Sequence, residues 1–115
     1  MTGKNLSKIY TANIYRMSYK ISVKASEDVE NFWIYTFENW SFEQADRYIN
    51  LIFDEIQYLA DNPDSGKNFD YIRKNYRCSR VKSHLIFYRV TNNQSDIEII
   101  RILHQRMDIE NRLKE

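Results

Sequence analysis

Residues 25–63 read ASEDVENFWIYTFENWSFEQADRYINLIFDEIQYLADNP, and their periodicity decides the fold. Ala25, Val29, Phe32, Trp33, Thr36, Phe37 and Trp40 recur at spacings of three and four, the repeat of one helix face. Glu27 and Asp28 stand near the positive end of that helix. Ser41 followed three places later by Gln44 has capping-box spacing, so a second helix starts there. Its apolar face is Ala45, Tyr48, Ile49, Ile52, Phe53, Ile56 and Leu59. Asn62-Pro63 stops it, because proline disfavours a helical residue before it. Two apolar-faced helices with almost no loop between them must fold back as a hairpin, which lets both bury their stripes together.

Outward from the hairpin the period changes to two. Tyr19, Ile21 and Val23 alternate with Ser18, Lys20 and Ser22, which predicts a short half-buried strand over 19–23. After the hairpin, Asp64-Ser65-Gly66 is turn chemistry and the chain to Asn75 reads as loop. Three strands follow: a basic, partly exposed one over 76–82, one over 83–91 around Leu85-Ile86-Phe87-Tyr88, and one over 97–103 that is apolar on both faces, like a central strand. Asn92-Asn93-Gln94 is the hairpin turn between the last two. Residues 107–113 suit one or two helical turns. The expected fold is α+β, in the order β-α-α-β-β-β, with the helical hairpin packed on a four-stranded, mainly antiparallel sheet.

At 115 residues the chain fits one domain, with no room for separate catalytic and binding domains. Apolar residues make up 43% and there are only two Gly and one Pro, so a packed core forms and extensive disorder is excluded. The single cysteine, Cys78, rules out an internal disulfide and a thiolate metal cluster, and nothing beside it marks a reactive thiol; it reads as packing. No apolar run approaches the roughly 18 residues of a membrane span, and the N-terminus lacks the apolar stretch of a secretory signal. These features suit the cytoplasm. Residues 1–16 are polar, with Lys4, Lys8 and Arg16 and no acid, whereas Met17-Ser18-Tyr19-Lys20 looks like a natural start. The expected organisation is a disordered or appended arm over 1–16 and a folded domain over 17–115.

The net charge of +1 hides a division of sign. Between Lys24 and Asp64 the only bases are Lys24 and Arg47; between Gly66 and Arg106 the only acids are Asp70, Asp96 and Glu98. The second half therefore offers a surface for anionic partners, or simply a solvated charged face.

Read in order, Asp28-Val29 to Thr36, Trp40 to Ala45, Leu59 to Pro63 with Gly66, and Tyr76-Arg77 with Arg80-Val81 form a familiar series. Two further stretches are the specific ones: His84-Leu85-Ile86-Phe87-Tyr88-Arg89-Val90 and Arg101-Ile102-Leu103-His104-Gln105-Arg106-Met107-Asp108. Together they resemble the ParE branch of the RelE/ParE toxin superfamily, over about Ser18 to about Leu113. The arm over 1–16 departs from that pattern. The resemblance implies a toxin of a type II toxin–antitoxin system that needs no cofactor. It also implies a toxin–antitoxin hetero-oligomer, in which a cognate antitoxin, ParD-like or another small protein, silences the toxin by direct binding. For many members it implies inhibition of DNA gyrase. The sister RelE-like toxins are ribosome-dependent mRNA endoribonucleases, and that is the alternative. A member that has lost toxicity and persists as an interaction module is a third reading.

Cutting RNA needs a general base, a general acid and cations for the charged phosphorane. Arg80, Arg89 and Arg101 would supply the cations, and His104 is the one plausible imidazole base. Against this, the lysine-rich and terminal-tyrosine pattern of the mRNA-cutting members is not evident after Arg101. His104 is catalytic, or contacts the target, or hydrogen-bonds to Asp108 or a backbone carbonyl and shapes the final turn; the last is preferred, since one histidine without an acid–base partner makes a poor active site. His84 reads as a strand-end structural residue. With two histidines, one cysteine and no acidic triad, no metal site is expected.

Arg77, Arg80, Arg89, Arg101 and Arg106 are the candidate contact surface, meeting an acidic antitoxin tail in one state and the target in the other. Their alternative, above all for Arg89 and Arg101, is pairing with Glu98, Asp108 or helix acids inside the domain. Phe37 and Trp40 join the contact set as walls for an antitoxin helix, while Trp33 on the same stripe reads as core. The expectation is a non-enzymatic toxin that grips its target with a basic sheet face and the C-terminal segment.

Overall fold

The computed structural model describes residues 18–91 and 96–114. Strand β1 (Ser18–Ile21) leads into α1 (Val23–Asn39) and α2 (Phe42–Asp61). Then come β2 (Lys67–Asn68), β3 (Arg77–Val81), β4 (His84–Val90), β5 (Asp96–His104) and a last turn of helix, α3 (Ile109–Leu113). The sheet runs β1-β5-β4-β3-β2, with β1 parallel to β5 and every other pair antiparallel. The α+β class, the helical hairpin and the central place of the last long strand are as the periodicity indicates. The fifth strand is the addition: Lys67 and Asn68 pair with Cys78 and Arg77 inside the segment read as loop. Two residues carry no period, so pattern reading passes over them. The arm over 1–16 and the turn at 92–94 lie outside the described residues.

Local chemistry sets the element boundaries. Ser22 caps α1, its Oγ accepting from the Ala25 N–H at 3.0 Å and donating to the Ile100 carbonyl at 2.8 Å, so one hydroxyl ends β1, starts α1 and ties both to β5. Val23 is thereby the first helical residue and is 75% exposed, not the third inward residue of a strand. Ser41 caps α2 by accepting from the Gln44 N–H at 3.1 Å, the hydroxyl half of the expected capping box.

The two helices share their burden unequally. Ala45, Ile49, Ile52, Ile56, Leu59 and Ala60 of α2 are all buried, whereas Ala25 is the one fully buried apolar residue of α1. The core beneath the hairpin joins Ile52, Ile56 and Leu59 to Ile86, Tyr88, Ile97, Ile99 and Ile102 of the sheet, with Val29 and Phe32 of α1 at its margin. Each fully buried isoleucine contributes about 1.5–3 kcal/mol of transfer free energy.

Side chains that face the hairpin along β5 fall at 97, 99 and 102, a change of parity. The cause is a β-bulge, where Phe87 pairs with Arg101 and Tyr88 with Ile99, leaving Ile100 as the extra residue.

The opposite face of the sheet is not a bare basic surface. Tyr76, Cys78, Phe87 and Leu103 are covered there by Phe69 and Ile72 of the loop and by Ile109 and Leu113 of α3. A second apolar cluster of that kind covers part of the face expected to be open and arginine-rich, while Arg80 and Arg89 stay exposed. Burial pushes the Cys78 thiol up to about 11, so it packs and stays protonated. Tyr88 closes the loop after α2: its hydroxyl donates to the Pro63 carbonyl at 2.8 Å and accepts from the Gly66 N–H at 2.9 Å. A Cβ on Gly66 would overlap that hydroxyl and stand 2.7 Å from the ring, so the position takes only glycine without rearrangement.

Candidate functional site

Where α1, α2 and the ends of β4 and β5 meet, the fold leaves a groove of about 780 Å³. One wall is a stripe of α1 through Phe32, Tyr35 and Thr36 to Trp40; the facing wall is Gln44, Arg47, Tyr48 and Leu51, one stripe of α2 at helical spacing. The β3–β4 turn contributes Lys82, and the chain after β5 contributes Arg106, Met107 and Arg112. His84 and His104 form part of the floor.

Beneath this groove an ion pair clamps three elements. Arg101 Nε and Nη2 donate to the two oxygens of Asp28 at 2.8 and 2.9 Å, and the Ile102 N–H donates to the same carboxylate at 3.0 Å. Arg101 Nη1 donates to the Arg112 carbonyl at 2.9 Å. The Arg101 side chain is 7% exposed and that of Asp28 12%, so α1, β5 and α3 are joined through a charge pair sheltered from water. Expectation and structure part here: Arg101 is a fold residue, and no target or antitoxin reaches it without opening the clamp. The bulge explains the placement, because it re-aims the side chain after Ile100.

The histidines are held as firmly. His84 is 8% exposed, its Nδ1 lies 2.8 Å from the Tyr48 hydroxyl, and the Phe32 ring stands 4.5 Å away, so it is the structural strand-end residue expected from sequence. Desolvation, then the neighbouring His104, lower its pKa to about 4, while Asp28 opposes the shift. His104 Nδ1 accepts from the Arg106 N–H at 3.1 Å. That bond shapes the final turn, through an amide donor rather than Asp108 or a carbonyl. It also places the proton of the neutral ring on Nε2, an assignment that follows from the bond geometry. His104 then offers an N–H donor to the groove.

The remaining arginines divide by partner. Arg77 donates to the Gly66 carbonyl at 2.8 Å and the Asp64 carbonyl at 3.3 Å, bracing the loop. Arg80 donates from Nε to the Lys82 carbonyl at 2.6 Å. Arg89 pairs with Glu98 at 2.9 Å on the exposed side of the sheet. Of the five expected contact arginines, Arg106 alone lines the groove, and its guanidinium has no hydrogen bond or ion pair among the described residues. Trp40 stands in the groove wall, 71% exposed, while Phe37 lies outside it. Trp33, expected in the core, is only half-buried and instead stacks on Phe37 with centroids 5.4 Å apart and meets Phe42 edge-on at 6.0 Å.

Sequence reading missed Arg47, Lys82, Arg112, Tyr35 and the groove role of Tyr48. One signal was available: Gln44, Arg47, Tyr48 and Leu51 repeat at three and four, a second stripe beside the core stripe of α2. Lys82 gave none. It sits in the left-handed region at φ 52°, in the two-residue turn that the strand pattern concealed. No group of three or more His, Cys, Asp or Glu that would hold a metal occurs among the described residues. No helix among them is long and apolar enough to cross a membrane.

A hairpin clasped over an open mixed sheet is the fold found in a chain of the chromosomal ParDE toxin–antitoxin system from P. aeruginosa. The two align with a TM-score of 0.66 at 21% identity, over 76% of this chain and 95% of that one. That likeness fixes the fold class, a helical hairpin over an open mixed sheet. The sequence then fixes the branch: residues 19–109 match the family described as ParE toxin of type II toxin–antitoxin system, parDE. The chain is 38% identical over 95 residues to toxin ParE1 of Mycobacterium tuberculosis, covering 83% of this chain and 96% of that protein. It is 36% identical over 90 residues to toxin ParE1 of Caulobacter vibrioides, covering 78% and 91%. The chain belongs to the ParE toxin family of type II toxin–antitoxin systems.

Proposed function

We propose that this toxin is a non-enzymatic inhibitor of DNA gyrase in the cytoplasm, and that a cognate ParD-like antitoxin silences it by covering the groove. Family resemblance supplies the gyrase target. The observation that carries the non-enzymatic reading is the bond from the Arg106 amide to His104 Nδ1. General-base catalysis at neutral pH needs a basic nitrogen or oxygen facing the substrate with a pKa near 7. His104 has its one lone pair occupied, His84 is too weak a base at about 4, and Asp28 is consumed by Arg101. What the groove retains is cations and aromatic rings, groups that bind.

An antitoxin with acidic and apolar side chains suits the same walls, since Arg106 and Trp40 both line them. The test sets purified toxin against gyrase and against translating ribosomes in parallel. The expected result is lost supercoiling with cleaved DNA accumulating and messenger RNA intact. Ribosome-dependent cutting of the messenger would overturn the proposal.

A further inference from the structure

Three observations at the groove belong together. Its four cations, Arg47, Lys82, Arg106 and Arg112, make no side-chain ion pair or hydrogen bond among the described residues, and its only carboxylate, Asp28, is already neutralised by Arg101. Its two large exposed rings, Tyr35 at 63% and Trp40 at 71%, make no ring contact there, whereas Trp33, Phe37 and Phe42 nearby satisfy one another. His104 presents an N–H rather than a lone pair. Unpaired cations along a concave track, with unpartnered aromatic faces beside them, are what a single-stranded nucleic acid requires: charge for successive phosphates and platforms for unstacked bases.

We infer that the groove binds a short single-stranded nucleic-acid segment, its phosphates on Arg47, Lys82, Arg106 and Arg112 and its bases on Tyr35 and Trp40. A purely acidic peptide would use the cations and leave both ring faces idle, and duplex DNA keeps its bases stacked inside, out of reach of Trp40. A single strand uses every one of these unsatisfied groups. The inference deepens the proposed function and rests on the groove being the toxin's working surface: a gyrase–DNA complex with an opened strand would be gripped through both components. The strained Lys82 fits this view, since a left-handed lysine is held where glycine would be easier and its charge is then carried at the groove rim.

The test uses the full chain without gyrase and follows the fluorescence anisotropy of labelled oligothymidylate and oligouridylate, roughly 12 nucleotides long. Binding is expected to weaken with salt by about 0.7 log units per log unit for each neutralised phosphate, so three or four contacts give a slope of roughly −2 to −3. Arg106→Glu and Arg47→Glu should each weaken binding at least about tenfold. Lys82→Gly, which removes the charge while easing the backbone, should lower the salt slope with no loss of fold. Trp40→Ala should weaken binding roughly five- to hundredfold and leave the slope unchanged. Arg73→Glu, on the exposed loop away from the groove, should do nothing. Comparing the two oligonucleotides tells DNA from RNA preference. Absence of binding at low salt, or displacement of the strand by polyglutamate with Trp40→Ala indistinguishable from the parent, would overturn the inference. Gyrase inhibition by a toxin that fails to bind either oligonucleotide would sink this inference alone; strand binding without gyrase inhibition would sink the proposed target alone.

Discussion

Arg101 and Arg106 are five residues apart on one strand and its extension, yet the fold treats them as opposites. Arg101 is 6% exposed, forked onto Asp28 and capping the Arg112 carbonyl; Arg106 stands in the groove with its guanidinium unspent. Sheltered charge is stable only when paired, because desolvation of an isolated ion costs more than the domain can offset. Cations of this domain therefore divide into those consumed by folding and those the fold leaves unpaired among the described residues, and sequence position does not sort them.

The largest effect expected from breaking this division is at the clamp. Arg101→Ala should destabilise the domain by about 3–5 kcal/mol, since it strands the Asp28 carboxylate in a sheltered site. Replacing both partners, as Asp28→Leu with Arg101→Met, should cost far less. Denaturant midpoints of the single and double variants measure the difference, and equal losses would mean that packing rather than charge holds the clamp.

Next in size is acid titration of the groove floor. His84 in the fold titrates at about 4 and in the unfolded chain near 6.5, so the unfolded state takes up the proton first. Its contribution is complete above about pH 6.5, declines as pH falls towards 4, and amounts to roughly 3 kcal/mol at most. Urea melts of the parent and of His84→Gln across this window should diverge in slope, the variant being flatter; parallel curves would remove His84 as the cause. Its titratable neighbour His104 faces it at 5.3 Å and Asp28 opposes the shift, so His104→Gln is the companion control.

Gly66→Ala should cost about 1–3 kcal/mol by forcing Tyr88 aside, and a thermal melt reads it directly. A change within error would show that Tyr88 moves freely. Smallest is Arg89→Ala, where an exposed pair with Glu98 is lost for less than about 1 kcal/mol.

The fold was legible because hairpin and sheet carry strong, distinct periods. Ala45 to Leu59 repeat at three and four, and Leu85 to Tyr88 and Ile97 to Leu103 are apolar runs between turn residues. Boundaries failed where one side chain overrides a period: Ser22 starts α1 before Val23 can serve as a strand residue. Half of the candidate site was hidden for a related reason. A bulge shifts parity at Ile100 and a left-handed Lys82 turns the chain, and neither leaves a residue-type signal. The pairings offered as alternatives for Arg89 and Arg101, Glu98 and a helix acid, are the ones formed, because opposite charges brought together by strand pairing and helix packing neutralise each other. Arg106 escapes because no acid among the described residues is placed to meet it.

The most direct measurement compares Arg106→Glu with Arg89→Ala in a gyrase supercoiling assay on proteins of matched melting temperature. Lost inhibition for Arg106→Glu beside full inhibition for Arg89→Ala is the expected result. Full inhibition by Arg106→Glu would contradict the claim that the unspent cations of the groove carry the toxin's function.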